Sequence, residues 1–158
     1  MPMMGNKKVA RAAVRDELVQ VGNGCSRAVY TDDAGKYVYK VGWNEDDDAS
    51  NVAEHLFFEL VKAMGHKLAK YAPPTRLIEV DGRVVLVMPF YPNRTYPYGN
   101  DEFSELMDLC EYVGLNDVVD FNTKMDDNDN IYIIDAGEIS WWMDPNESLV
   151  NFMQRGYF

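Results

Sequence analysis

An α+β fold is predicted by three features of the sequence. Residues 18–41 and 76–90 are β-type and broken by turn residues, residues 49–68 and 101–113 carry apolar side chains at helical spacing, and 158 residues suit one domain. The expected organisation is an N-terminal half over about residues 1–90, built as an antiparallel sheet with one packed helix and preceded by an N-terminal helix. A linker over 91–100 and a mainly helical half over 101–158 follow.

Each element has a local cause. Val9, Ala12, Ala13, Leu18 and Val19 fall among charged residues with helical spacing, which predicts an amphipathic helix over residues 6–19. From Leu18 to Val41 the text turns β-type, with Gly22-Asn23-Gly24 and Asp32-Asp33-Ala34-Gly35 as turns, so two or three strands form a meander. Val52, Leu56, Phe57, Leu60, Val61 and Met64 make one stripe of a helix over Ala49–Leu68. Arg76–Val80 and Val84–Phe90 flank Asp81-Gly82, a dipeptide suited to a type I′ turn, and form a second hairpin that Pro89 and Pro92 end. Two prolines and a glycine mark 91–100 as linker. Asp101 can cap a helix carrying Phe103, Leu106, Met107, Cys110 and Val113, with Gly114 as its stop; a short strand follows at Ile131–Ile134. There is no internal repeat.

Composition narrows the classes. With 47% hydrophobic and 13% aromatic residues the chain can build a core, which excludes a disordered protein. No apolar run reaches the roughly 20 residues of a membrane helix, and the first residues lack the apolar stretch of a secretory signal. A soluble cytoplasmic protein is expected. Cys25 and Cys110 have neither zinc-knuckle spacing nor a disulfide framework around them. Residues 1–20 carry four basic and two acidic side chains, residues 21–100 nine and ten, and residues 101–158 two and fourteen. The net charge of −11 is therefore nearly all C-terminal. Such a surface repels a phosphate backbone, which disfavours direct nucleic-acid binding except through Lys7, Lys8, Arg11 and Arg15, and it suits a basic protein partner. It serves equally as a solvated face that keeps a small protein soluble.

Chemistry enters at the first turn. Val21-Gly22-Asn23-Gly24-Cys25-Ser26-Arg27-Ala28-Val29-Tyr30 sets glycines between two strands, and Lys40 follows ten residues after Tyr30 on Val38-Tyr39-Lys40-Val41. Glycine lets a backbone close over an anion, and a fixed lysine neutralises phosphate charge. A glycine turn alone is more often a plain hairpin. A second constellation adds weight: Asp117 precedes Asn122 by five positions, and Asp135-Ala136-Gly137 begins eighteen residues after Asp117.

With those residues in order, the chain resembles the protein-kinase-like superfamily, whose catalytic loop reads Asp-x-x-x-x-Asn and whose metal-binding turn reads Asp-x-Gly. The resemblance covers about residues 18–138. Within the superfamily, Val21-Gly22-Asn23-Gly24 through Lys40-Val41-Gly42 looks most like the early protein kinases of podophages, which modify host proteins. The resemblance implies a kinase-like fold with a strongly reduced helical C-lobe, and ATP and magnesium as cofactors. It implies that Gly22 and Gly24 cover the nucleotide, Lys40 contacts its α- and β-phosphates, Asp135 and Asn122 hold metal, and Asp117 accepts or orients the substrate hydroxyl. Val21, Val29, Val38 and Met88 would line the adenine pocket, with backbone groups of Pro89–Tyr91 reading the base edge; Val29 and Met88 suit an ordinary core equally well.

The lysine's partner should be a glutamate on the following helix, and both Glu54 and Glu59 qualify. Five residues apart, they point about 140° from one another, so only one faces the lysine. Glu54 is favoured because Asn51-Val52-Ala53-Glu54 resembles this helix in small kinase-like proteins. Three positions depart from the pattern: Arg27 replaces the third glycine, Asn116 precedes Asp117 where protein kinases have arginine, and Val119 stands where a lysine or histidine is usual. Losing that last contact would raise the barrier by about 2 kcal/mol or more. His55 and His66 are assigned surface or capping use, Cys25 a small filler role, and Trp141 and Trp142 either an interface or a cover for the short lobe.

The leading reading is an ATP- and magnesium-dependent phosphotransferase acting on a Ser or Thr hydroxyl of a host protein or of itself. The second is a pseudokinase whose acidic half docks and inhibits a basic host protein. A third is a small-molecule phosphotransferase of the same superfamily, which usually needs a longer chain. Self-association is compatible with all three.

Overall fold

The computed structural model describes residues 4–24, 26–95, 101–113 and 123–136. The chain divides into two compact units, Met1–His55 with Pro74–Phe90, and Leu56–Pro73 with Tyr91–Phe158. The fold is α+β.

In the first unit, helix α1 (Lys7–Val14) precedes strands β1 (Val19–Asn23), β2 (Arg27–Thr31) and β3 (Tyr37–Gly42). After a 3-10 turn at Glu45–Asp47, helix α2 (Asp48–Ala63) begins, and its residues up to His55 belong to this unit. Strands β4 (Arg76–Val80) and β5 (Arg83–Pro89) complete a five-stranded antiparallel sheet ordered β1-β2-β3-β5-β4. The β4–β5 turn takes φ of +52° at Asp81 and +75° at Gly82, the left-handed pair that a type I′ hairpin demands.

Alternation along the strands gives the sheet two faces. One carries Ala28, Tyr30, Tyr39, Val41, Ile78, Val80, Val85 and Val87, all buried in one cluster with Ala10 and Ala13 of α1. Asn6 caps α1 by accepting from the Val9 N–H at 2.9 Å. The helix stops at Val14 rather than running toward Val19. Asp16 turns left-handed at φ +57°, and its carboxylate accepts the Tyr30 hydroxyl at 2.8 Å, so the chain is diverted into β1.

Gly42 has a specific steric cause. A Cβ there would lie 2.8 Å from the Asp47 Cβ and 3.0 Å from the Asn44 carbonyl oxygen, where the 3-10 turn closes on the end of β3. Arg83 fixes that turn by donating to the Gly42 and Asn44 carbonyls at 2.8 and 3.1 Å and to both Asp48 oxygens at 3.0 Å. Gly42→Ala is expected to cost about 1–3 kcal/mol of unfolding free energy through overpacking, measured by urea denaturation; an unchanged midpoint would remove this account of the glycine.

The second unit holds the remainder of α2, a 3-10 helix at Lys67–Tyr71, helix α3 (Asp101–Val113), and strands β6 (Asn93–Arg94), β7 (Thr123–Met125) and β8 (Ile131–Ile133) in an antiparallel sheet ordered β6-β7-β8. The periodic pattern extends the helix to Leu68, yet α2 ends at Ala63. Gly65 adopts φ +64°, Gly65 and His66 N–H groups bond back to the Lys62 and Val61 carbonyls, and the His66 Nδ1 then caps the 3-10 helix by accepting from Leu68 N–H at 3.0 Å. The expected linker is partly structured, because β6 pairs with β7 and the Tyr91 ring stacks on Tyr132 with centroids 4.3 Å apart. Phe103, Leu106, Leu109 and Cys110 form the buried side of α3, while Asp101, Glu102, Glu105 and Asp108 are exposed. Among the described residues no helix is long and apolar enough to cross a membrane.

Candidate functional site

The second face of the five-stranded sheet gathers most of the residues singled out from the sequence. Register pairs Gly22 with Val29, Val29 with Lys40, Lys40 with Leu86, and Val38 with Met88, so these side chains and Gly22 share one face. Lys40, Val38 and Met88 are buried, and Val29 is half-buried. Val21 is not part of this row. The register shifts between Gln20 and Gly22, which leaves Val21 in a bulge and 46% exposed.

Lys40 is held by Glu54. The ammonium donates to Oε2 at 2.9 Å and to Oε1 at 3.2 Å, and Glu54 has no exposed surface. Glu59 is half-exposed and pairs with Lys62 at 3.7 Å, so the two glutamates are separated as helical geometry requires. Arg27 joins the same cluster: its Nη1 donates to Glu54 Oε2 at 2.8 Å and to Asn51 Oδ1 at 3.1 Å. The Asn51 amide in turn donates to the Lys40 and Val84 carbonyls, both at 2.9 Å, which ties α2 to β3 and β5. Burial opposes ionisation of Glu54, but the positive charges of Arg27 and Lys40 and the hydrogen bonds they donate outweigh it, so its carboxyl lies below the ordinary value.

The inward side of α2 therefore begins with two polar residues, Asn51 and Glu54, and becomes apolar at Phe57, Phe58 and Val61. The apolar stripe read from the sequence included Leu56, which is 51% exposed. Arg27 and Asn51 were missed as members of the site. Their signal was present as an asparagine three residues before the favoured glutamate and an arginine at a glycine position, but apolar periodicity ignores both.

The glycine turn is tied locally. Gly24 N–H donates to the Arg27 carbonyl at 2.9 Å, and the Trp43 indole N–H donates to the Gly24 carbonyl at 3.0 Å. Among the described residues no contact requires glycine here: a Cβ at Gly24 would meet nothing within 4 Å, and one at Gly22 only Val29 at 3.9 Å. At the other end of the sheet face, the Phe90 N–H donates to the Lys36 carbonyl at 2.9 Å. That removes it from the backbone groups expected to read a base edge.

In the second unit, the register pair Thr123 with Ile133 closes one end of the β7–β8 hairpin, and half-buried Asp135 follows two residues later. Asn122 immediately precedes Thr123 in sequence. It lies outside the described residues, as do Asp117, Asn116, Val119, Gly137, Cys25, Trp141 and Trp142. Among the described residues no group of three or more His, Cys, Asp or Glu is placed to hold a metal ion. His55 meets the Thr75 hydroxyl at 2.7 Å and joins no such group. Comparison with protein-family models and with curated proteins gives no match.

Proposed function

We propose that the chain is a small ATP- and magnesium-dependent phosphotransferase that transfers the terminal phosphoryl group to a Ser or Thr hydroxyl of a protein. The observation that carries this reading is the Lys40 ammonium, fixed on both oxygens of a buried Glu54 and set on the same sheet face as Gly22, Val29, Val38 and Met88. A lysine held this way is a pre-positioned charge for nucleotide phosphates. Glycines at 22 and 24, which no packing contact among the described residues demands, suit a backbone that closes over such a ligand.

On this reading Gly22 and Gly24 cover the phosphates, Val29, Val38 and Met88 contact the base, and Asp117 orients the acceptor hydroxyl. Asp135 and Asn122 offer a carboxylate and an amide oxygen, hard donors that suit magnesium, which keeps water and phosphate oxygens as its other ligands. Bound there, magnesium would neutralise charge on the phosphates. A host protein or the chain itself is the acceptor.

Calorimetric titration of Mg-ATP tests the reading. Gly24→Val is expected to weaken binding at least about tenfold while leaving the fold intact, because its side chain enters open space. Asp135→Asn is expected to abolish the magnesium dependence. Unchanged affinity in both variants would overturn the assignment. A second reading, a kinase-shaped binding module for a basic protein, draws on the exposed acids Asp101, Glu102, Glu105 and Asp108 along α3. Absence of Mg-ATP binding by the wild-type chain, or a phenotype that survives substitution of Asp117, would favour it.

A further inference from the structure

We propose that Arg27 is the positioning residue of the Lys40–Glu54 pair, and that it lets the chain assemble this pair without an activating partner or modification. Two side chains on consecutive turns of α2 converge on one nitrogen, Arg27 Nη1, which donates to Asn51 Oδ1 at 3.1 Å and Glu54 Oε2 at 2.8 Å. Asn51 and Glu54 are three residues apart and so lie on the same side of the helix. A single donor that holds both fixes the rotation of α2 about its own axis. Turning the helix by one residue, about 100°, would break both bonds at once and carry Glu54 away from Lys40.

Arg27 does not displace the lysine. Lys40 keeps both carboxylate oxygens, at 2.9 and 3.2 Å, while Arg27 Nη1 donates to Oε2 at 2.8 Å. The anchor is rigid on the strand side too, because Arg27 opens β2 and pairs with Gly42 at the end of β3. Gly42 is itself pinned by Arg83. With Arg27 only 5% exposed, the guanidinium is enclosed and its rotamer is set by packing. This accounts for an arginine at a position where the resemblance leads one to expect glycine: on the sheet face it shares with Val29 and Lys40, its side chain bonds α2.

The consequence for the nucleotide site rests on the proposed phosphotransferase reading, and the test separates the two. Hydrogen exchange of the α2 amides over residues 51–55 is measured in the full chain, alongside calorimetry with Mg-ATP and with adenosine. Arg27→Met is expected to speed exchange in that segment at least about tenfold, with α3 amides unchanged. It is also expected to weaken Mg-ATP at least about tenfold while adenosine, which carries no phosphate, changes less than about twofold. Arg27→Lys returns a donating cation on a shorter stem without the guanidinium fork and is expected to recover only part of both losses. Arg27→Gln replaces Arg27→Met if the latter does not fold.

Unchanged α2 exchange in the neutral variant overturns the inference, as does equal weakening of Mg-ATP and adenosine. Absence of Mg-ATP binding in the wild-type chain overturns the nucleotide reading and self-sufficient assembly of the site, and the exchange data alone then decide whether Arg27 positions α2.

Discussion

Glu54→Gln is expected to lower the unfolding free energy by about 3–5 kcal/mol, because it removes the buried charge that both Arg27 and Lys40 bond. Arg27 and Lys40 are 5% and 4% exposed and Glu54 is fully enclosed, so water cannot replace the lost charge. A glutamine matches the shape and keeps one acceptor oxygen, which isolates the charge as the cause. Glu59→Gln, on the exposed side of the same helix, is expected to change stability by less than about 0.5 kcal/mol. The pH dependence has a defined sign. In the folded protein the Glu54 carboxyl titrates below its ordinary value of 4.5, so its contribution is complete above that pH and is lost as pH falls through the folded value. Urea denaturation at neutral pH and below pH 4.5 measures both effects. The variant should show a shallower loss of stability with acid than wild type. A destabilisation of Glu54→Gln below about 1 kcal/mol would mean that the buried cations find compensation elsewhere.

How much of this was legible in the sequence follows from which signals were local. Asp81-Gly82 announces its hairpin because the turn needs two left-handed residues, and that need is met within the dipeptide. The Lys40–Glu54 contact was readable in part: helix rotation said that only one of Glu54 and Glu59 could meet the lysine, and the choice between them came from the resemblance carried by Asn51-Val52-Ala53-Glu54. Three features were not legible, each for a different reason. The inward side of α2 opens with Asn51 and Glu54, and a search for apolar periodicity passes over polar residues that are buried by pairing. Strands β6 and β7 are two and three residues long, too short for alternation to show, and they exist through pairing across some thirty residues of chain. The ends of α1 and α2 were placed too late because apolar residues continue past Asp16 and Gly65, the left-handed residues that stop each helix.

Lys40→Ala is expected to reduce the proposed phosphoryl transfer at least about a hundredfold, the loss typical of removing one preorganised charge from a reacting centre. Its effect on folding should be much smaller than that of Glu54→Gln. Without Lys40, Glu54 still accepts from Arg27 at 2.8 Å, and Asn51 still donates to the carbonyl of residue 40 and to that of Val84, so the carboxylate stays compensated and α2 stays tied to the sheet. A cost of about 1–3 kcal/mol covers the lost hydrogen bonds and the small cavity. Turnover is followed with radiolabelled ATP on the chain itself and on a mixed protein substrate, with thermal unfolding of the same samples. Loss of transfer at near-native stability would assign Lys40 to the phosphates rather than to the core. A variant as unstable as Glu54→Gln would make Lys40 a structural charge, and full transfer in a folded Lys40→Ala protein would take the chemistry away from this face of the sheet. The contrast is informative because both residues belong to one cluster: removing the shared anion takes a charged partner from Arg27 and Lys40 at once, whereas removing Lys40 leaves the anion bonded to Arg27.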